Sequence, residues 1–356
     1  MRGLPMPSLF RARDLALSAA LILPLATVHA QALDGVVASI KPVHSLVSAV
    51  MEGVGEPTLV VRGSGSEHVH SLRPSDAAAL EKASIVFRIG ENMETFLNAP
   101  LKTLAARATI VSLEDTPGLE MLAFREGGPF EAHDHDDDDE SHDGHDHSGH
   151  SDAGHSHAGH DHGEKDHHEN EPPKHDHSEH DHPEHDLHFW LDPVNAGAMV
   201  AQIARTLSEA DPENAARYSA NADAYAARLE ALIVETAATV EPVKARPAVV
   251  FHDAYQYFER RFGLNVVGSI TVSPEVLPGA QRLSEIREKV KELDAACVFS
   301  EPQFEPRLVS VVTEGTDART GVLDPLGAEI PDGPDLYIEL IGNLGRSFAS
   351  CLSRAG

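Results

Sequence analysis

Residues 212–241 read PENAARYSANADAYAARLEALIVETAATVE and carry the clearest helical pattern in the chain. The apolar positions that recur at three- and four-residue spacing are Tyr218, Ala222, Tyr225, Leu229 and Ile233. At about 1.5 Å per residue, such a helix is roughly 45 Å long, which is enough to run between two domains. The alternative is an ordinary amphipathic surface helix within one domain.

Both ends of this stretch carry recognisable helix signals. Asp211 is a candidate N-cap, Pro212 suits the first helical position, and Pro242 prevents the helix from continuing. We therefore predict a connecting helix over residues 211–242.

Short apolar runs alternate with helical patterns on both sides of this helix. The strand-like runs occupy residues 36–40, 58–61, 85–89, 109–111, 248–251, 264–267, 296–299 and 321–323. The helical patterns cover residues 43–50, 77–82, 255–262, 284–293 and 307–312, and a closing helix contains Leu336, Leu340, Leu344 and Phe348. Such alternation implies parallel strand pairing. We predict an α/β fold of two similar lobes, with parallel-type sheets flanked by helices, joined by one long rigid helix. The N-terminal lobe covers residues 33–210 and the C-terminal lobe residues 243–356.

The N-terminus reads as a secretory signal peptide over residues 1–32. Basic residues precede an apolar stretch over residues 15–28, and Ala30-Gln31-Ala32 is a small-x-small cleavage pattern. The alternative is a membrane anchor, but the stretch is shorter than the ~20 apolar residues that span a bilayer and contains Pro24. We therefore predict an exported, periplasmic protein that does not itself span the membrane.

The acidic charge of the chain is concentrated in one segment. The formal net charge is −29, and residues 133–186 hold 19 Asp/Glu, 2 Lys and 17 of the 23 histidines. This composition cannot form a packed core, so we predict a disordered loop inserted into the N-terminal lobe. Its imidazoles and carboxylates suit weak, reversible binding of several divalent ions, although a purely solubilising tract is the alternative. So acidic a chain repels nucleic acid, which we exclude as a partner.

The chain has two cysteines, and an oxidising compartment favours a disulfide between them. Cys297 opens an apolar strand-like run and Cys351 lies in the predicted closing helix. One disulfide between them would tie that helix to the second sheet. Two unpaired thiols are the alternative.

Three histidines follow strand-like or apolar runs outside the loop. His68 ends a Gly/Ser-rich turn, His188 follows the polar loop directly, and His252 follows a buried strand. Ligands of α/β proteins bind at the carboxyl ends of strands, and neutral imidazoles are suitable zinc ligands. A single histidine in such a place is more often a hydrogen-bonded structural residue, which is the interpretation we give His44 and His70.

Several sequence motifs together resemble one protein family over nearly the whole mature chain. They are Ser66-Glu67-His68-Val69-His70-Ser71-Leu72-Arg73-Pro74-Ser75-Asp76, the segment 187–193, Phe251-His252-Asp253-Ala254-Tyr255, Pro278-Gly279-Ala280-Gln281-Arg282-Leu283, Glu301-Pro302-Gln303-Phe304 and Leu323-Asp324-Pro325-Leu326-Gly327. They are similar to the ZnuA-type zinc solute-binding proteins, a metal-binding class of ABC-importer receptors. The histidine-rich loop and the cysteine pair are also features of that family.

The resemblance implies a metal ion held between the lobes. Its ligands would be His68 and His188 from the first lobe and His252 from the second, with Glu67 as the fourth. Asp324 or a water molecule is the alternative fourth ligand. The chain departs from the pattern at Val69-His70, which leaves His70 as an accessory candidate. Three imidazoles favour Zn²⁺ over Mn²⁺, which prefers oxygen ligands.

The function that the resemblance implies is capture of Zn²⁺ and its delivery to an ABC-type membrane permease by a monomeric receptor. We expect no catalytic residues and no cofactor other than the transported zinc. The rival classes are a zinc-dependent hydrolase and a metal-storage chaperone that uses the loop alone. The sequence contains neither a His-Glu-x-x-His helix nor a Gly-x-Ser-x-Gly turn, which disfavours hydrolysis.

Overall fold

A computed structural model describes residues 33–125, 130, 185–271, 278–304 and 307–353. The predicted signal peptide and most of the predicted histidine-rich loop lie outside these residues. The described strands form two four-stranded sheets. Among the described helices, none combines the length and apolarity needed to cross a bilayer.

The first sheet has strand order β2-β1-β3-β4, and all neighbouring strands are parallel. Its elements are β1 Val36–Ala38, α1 Lys41–Val50, β2 Thr58–Leu59, α2 Pro74–Glu81, β3 Ile85–Arg88, α3 Thr95–Thr103 and β4 Thr109–Ser112. The two central strands, β1 and β3, are buried along their whole length. Burial on both faces explains why they read as continuous apolar runs rather than alternating ones.

The second sheet repeats this arrangement, with strand order β6-β5-β7-β8 and parallel pairing throughout. Its elements are β5 Pro247–His252, α6 Gln256–Phe262, β6 Asn265–Thr271, α7 Ala280–Glu292, β7 Cys297–Ser300, α8 Arg307–Thr313, β8 Arg319–Val322 and α9 Leu336–Leu352. In both sheets the first strand of the lobe pairs with the second and the third. The predicted fold of two similar α/β lobes is confirmed.

Two helices, α4 Pro193–Ala210 and α5 Ala215–Val240, separate the sheets in the chain. The long helix α5 is shorter than the predicted 211–242, and the expected roles of Asp211 and Pro212 are wrong. Asp211 ends α4, and its side chain accepts hydrogen bonds from Asn214 Nδ2 at 2.7 Å and Tyr218 Oη at 2.9 Å. These bonds hold a turn between the two helices, so that α5 begins after Asn214.

The sequence prediction missed α3 and α4. Helix α3 contains Pro100, a residue that normally argues against a helix interior. Helix α4 has a clear start signal, because Asp192 accepts a hydrogen bond from Val194 N at 2.9 Å and Pro193 occupies the first position.

One large apolar cluster spans both lobes, with contributions from α1, α5 and α9, and a second, smaller cluster lies within the second lobe. Hydrogen bonds between buried groups reinforce the contact. Tyr337 N donates to Ser45 Oγ at 2.9 Å, and Tyr337 Oη donates to the carbonyl of Trp190 at 2.7 Å. Trp190 Nε1 donates to the carbonyl of Pro325 at 3.0 Å. These contacts hold the second lobe against the first.

The predicted disulfide is confirmed between Cys297 and Cys351. It joins β7 to α9, so it ties the closing helix to the second sheet.

We expect the Cys297→Ser/Cys351→Ser double variant to lose stability. A bridge with a sequence separation of 54 restricts the unfolded chain, and its loss should lower the free energy of unfolding by about 4 kcal/mol. Urea unfolding of the variant and of the oxidised protein, both without metal, measures this difference. Equal midpoints and slopes would contradict it.

Candidate metal centre

Four side chains converge between the two lobes: Glu67, His68, His188 and His252. Each offers one ligand atom, and these atoms all lie within 4.8 Å of one another. Glu67, His188 and His252 are buried, whereas the side chain of His68 is 22% exposed. The cluster is therefore enclosed between the lobes: His68 has its most exposed side chain, but the His68 Nε2 atom is itself buried.

The fold explains how residues from distant parts of the sequence meet. Glu67 and His68 lie in the loop that follows β2, and His252 is the last residue of β5. His188 precedes a short 3₁₀ helix, Phe189–Leu191, whose residues are buried. The carboxyl edges of the two sheets thus face the same space, which is where α/β folds place their ligands.

The distances within the cluster suit a small tetrahedral ion. His252 Nε2 lies 3.4 Å from His188 Nε2, and Glu67 Oε1 lies 3.9 Å from the Nε2 atoms of both His68 and His188. Ligand atoms at zinc-nitrogen distances around a tetrahedral centre are about 3.3 Å apart. The two buried imidazoles already have this separation, and the Glu67 carboxyl oxygen needs only a small movement to reach it.

Glu67 has a chemical reason to bind a cation. The residue is 1% exposed, and its Oε1 accepts no hydrogen bond from the described residues. A buried polar oxygen without a partner destabilises the folded state. A metal ion between Glu67 and the imidazoles would supply the missing partner.

Two buried carboxylates contact the far sides of the histidine rings. His188 Nδ1 donates to Asp186 Oδ1 at 2.7 Å, and His252 Nδ1 donates to Glu301 Oε1 at 2.7 Å. Sequence reasoning gave neither carboxylate a role. In the sequence, Asp186 stands at the end of the polar loop and Glu301 lies in a family-like motif, and neither position indicates a metal-site role.

The environment shifts the pKa values of two of the histidines in opposite directions. Burial of the His68 ring, together with the nearby His188 and His252, lowers its pKa to about 3 despite the opposing effect of Glu67. Burial also acts to lower the pKa of His252, but the hydrogen-bonded Glu301 outweighs it and raises that pKa to about 9. His68 is therefore a neutral imidazole, the form that binds a metal.

Three other candidates lie outside the cluster of four. His44 Nε2 donates to the carbonyl of Pro57 at 3.1 Å, in keeping with a structural role. His70 Nε2 lies 3.8 Å from Asp76 Oδ2, away from the other ligand atoms. Asp324 Oδ1 accepts hydrogen bonds from Gly327 N at 2.9 Å and from Leu326 N at 3.1 Å, so this carboxylate shapes a turn. Of the two residues considered for the fourth position, the structure brings Glu67 into the cluster and not Asp324.

The predicted histidine-rich loop, residues 133–186, ends earlier than expected. Ala123 pairs with His185 in an antiparallel bridge, and Asp186 N donates to the carbonyl of Leu122 at 2.9 Å. His185 and Asp186 therefore belong to the folded lobe, and residues 133–184 of the predicted loop lie outside the described part of the chain. The described residues nearest to the predicted loop lie close to the cluster: Arg125 Nε donates to Asp253 beside His252, and Asp186 accepts from His188.

Comparisons with known proteins show the family of this chain. The family model for zinc-uptake complex component A, periplasmic (ZnuA), matches residues 36–351. The high-affinity zinc uptake system protein ZnuA of Brucella suis biovar 1 (strain 1330) is 61% identical, over 90% of this chain and 92% of that protein.

Solved structures share the fold. A crystal structure of ZnuA is 22% identical with a TM-score of 0.66, and the match covers 89% of this chain and 98% of that one. A zinc-bound ZnuA deletion mutant is also 22% identical, with a TM-score of 0.64 and coverage of 90% and 98%. The family model spans nearly all of the described fold, including all four clustered residues. The chain belongs to the ZnuA family of periplasmic zinc-uptake components.

Proposed function

We propose that this protein captures Zn²⁺ in the periplasm and delivers it to an ABC-type membrane permease. One observation carries the proposal: the ligand atoms of Glu67, His68, His188 and His252 lie within 4.8 Å of one another between two α/β lobes. Three imidazoles and one carboxylate complete a tetrahedral set for zinc and leave no position open. The same set disfavours Mn²⁺, which prefers oxygen ligands.

Capture depends on how these residues are held. His188 and His252 are buried residues of opposite lobes, the lobes pack on a common apolar cluster, and the two Nε2 atoms lie 3.4 Å apart. Glu67 and His68 lie on the loop after β2, and His68 is the most exposed of the four.

The arrangement argues against hydrolysis. A catalytic zinc needs an open coordination position and a nearby general base. Here four protein groups would fill the tetrahedron, and the adjacent carboxylates Asp186 and Glu301 are hydrogen-bonded to histidine Nδ1 atoms. We therefore propose a binding role without catalysis.

Export to the periplasm is supported by three features. The N-terminal residues 1–32 have the pattern of a signal peptide, the family description names the periplasm, and Cys297 and Cys351 form a disulfide. Structural disulfides persist in oxidising compartments. We also propose that the receptor is a monomer and that its partner is the membrane permease.

A variant lacking the histidine-rich loop tests the proposed function. Residues 133–184 are replaced by a short Gly/Ser linker, which keeps His185 and Asp186 in the folded lobe. We expect fewer zinc ions bound at saturation but an unchanged tight site at one ion per chain, because the four clustered residues are retained. Zinc titration in competition with a chromophoric chelator measures both quantities, with the full chain as the control.

Two other results would contradict the proposal. If the full chain binds many zinc ions weakly and none tightly, it is a storage protein. If the tight site disappears with the loop, the loop supplies its ligands.

A further inference from the structure

The buried histidines His188 and His252 are each hydrogen-bonded to a carboxylate, one close by in the sequence and the other distant. Asp186 stands two residues before His188, whereas Glu301 is 49 residues from His252 in the chain. Each carboxylate also accepts a bond from the backbone of its histidine, at 3.0 Å for His188 N and 3.4 Å for His252 N. The same local arrangement thus occurs once in each lobe.

The topology of the second sheet accounts for the Glu301 contact. Glu301 directly follows β7, which pairs with β5, the strand that ends at His252. The carboxyl ends of these parallel strands lie side by side, so the first residue after one reaches the last residue of the other. The contact is therefore built into the strand order.

These contacts determine which nitrogen faces the metal. An ionised carboxylate can only accept hydrogen bonds, so when either ring takes the neutral form that binds a metal, its proton is held on Nδ1. The lone pair of Nε2 then points into the cluster, where the two Nε2 atoms are 3.4 Å apart. Without the carboxylate, the ring could rotate or move its proton to Nε2, and both changes remove the donor atom.

Asp186 is itself held by two residues of the second lobe. Asp186 Oδ2 accepts a hydrogen bond from Gln256 Nε2 at 3.2 Å, and Tyr257 Oη donates to the Asp186 carbonyl at 2.6 Å. Gln256 and Tyr257 belong to α6 of the second lobe, so Asp186 is fixed across the interface. Tyr255 is completely buried against Glu301, and burial together with that carboxyl group raises the Tyr255 pKa well above its usual value.

We propose that Asp186 and Glu301 are positioning residues for zinc capture, which keep His188 and His252 in the orientation and tautomer that present Nε2 to the ion. This inference rests on the proposed function. Neither carboxylate belongs to the cluster of ligand atoms, so both act through the histidines they contact. The negative charge also makes each imidazole a stronger donor to the metal.

The test compares Glu301→Gln, Glu301→Ala and Asp186→Asn with a matched control, Glu329→Gln. Glu329 and Glu301 line the same cavity of about 610 Å³, but Glu329 is exposed and is not a member of the cluster. We expect Glu301→Gln and Asp186→Asn each to weaken zinc binding by about 10- to 100-fold, as loss of an outer partner does. Glu301→Ala should weaken it further, because the amide of Gln can still accept from Nδ1 and a methyl group cannot. Glu329→Gln should leave the affinity unchanged.

A second measurement separates positioning from ordinary structural support. Co²⁺ bound at the site reports its ligand field through visible absorption, and we expect the bands of Glu301→Gln to shift because His252 becomes a weaker donor. Urea unfolding of each variant without metal shows whether it is folded. If Glu301→Ala does not fold, the isosteric Glu301→Gln decides the question.

The outcomes distinguish this inference from the proposed function. Unchanged zinc affinity in all three variants, with tight binding by the parent chain, overturns the positioning role alone. Weaker affinity with unchanged Co²⁺ bands and a lower unfolding midpoint also overturns it, because the carboxylates would then only stabilise the fold. Absence of tight zinc binding in the parent chain overturns both.

Discussion

Replacing His252 by alanine should weaken zinc binding by well over the roughly 100-fold that loss of an outer partner costs. His252 is the one clustered histidine that the second lobe supplies, and it is 1% exposed. Its removal leaves two imidazoles and Glu67, all from the first lobe. The ion would then no longer link the two lobes. His188→Ala should have a similar effect, since the Nε2 atoms of His188 and His252 are only 3.4 Å apart. Competition with a chelator of known affinity gives the change, in a chain without residues 133–184 so that loop sites do not interfere.

His44→Ala is the matched control for this experiment. His44 is also a buried histidine, at 8% exposure, but its Nε2 donates to the Pro57 carbonyl rather than facing the cluster. We expect the variant to lose folding stability by about 1–3 kcal/mol, because the Pro57 carbonyl loses its partner, and to keep its zinc affinity. Equal zinc affinity in His252→Ala and in the parent chain would remove His252 from the site and with it the proposed capture mechanism.

The strands of this fold were predictable because parallel sheets bury both faces. The run over residues 85–89 contains β3 Ile85–Arg88, and the run over 296–299 overlaps β7 Cys297–Ser300. Helix boundaries were less predictable, because the competing signals were of similar strength. Asp211 and Pro212 form a typical helix start, yet side-chain bonds from Asp211 to Asn214 and Tyr218 stabilise a turn instead.

The four clustered residues were predicted from sequence, but the choice among neighbours depended on resemblance. His68 and His70 stand two residues apart on one loop, and periodicity gives no reason to prefer either. The structure directs His68 toward His188 and His252, with ring centroids 5.4 and 5.9 Å away, whereas His70 packs against Phe96 at 5.4 Å. Spatial neighbours are needed to see this difference.

The supporting carboxylates show a different limit of sequence reasoning. The contact between Glu301 and His252 depends on β5 and β7 being adjacent, which sequence alone did not establish. The role of Asp186 could not be predicted for another reason: it ends a run of similar acidic residues, and nothing in the sequence distinguishes it from them. One sequence signal could have indicated Glu301. It is a carboxylate directly after a strand, in a lobe where another strand ends at a candidate ligand histidine.

Glu67→Gln should weaken zinc binding by more than about 100-fold while leaving the metal-free protein at least as stable as the parent chain. Glu67 is the only acidic member of the cluster among the described residues, so its replacement removes the negative charge closest to the ion. Its Oε1 accepts no hydrogen bond from the described residues, and such a buried oxygen destabilises the folded state. An amide at the same position is less costly to bury than an ionised carboxylate.

The opposite signs of these two effects identify a ligand. Replacing a residue that supports the fold lowers the stability of the protein. Replacing a metal ligand lowers the zinc affinity of the protein without lowering its metal-free stability. Urea unfolding without metal and chelator competition with zinc measure the two effects on the same variant.

Asp324→Asn is the control that settles the fourth position. Asp324 Oδ1 accepts bonds from Leu326 N and Gly327 N, and its Oδ2 accepts from Ala328 N at 2.6 Å, so its change should lower stability through the turn. Because those bonds already occupy both oxygens, we expect a much smaller loss of zinc affinity than for Glu67→Gln. If Asp324→Asn instead abolishes tight binding and Glu67→Gln does not, the turn opens to provide the fourth ligand. The loop after β2 would then contribute only His68, and the second lobe would supply half of the tetrahedron.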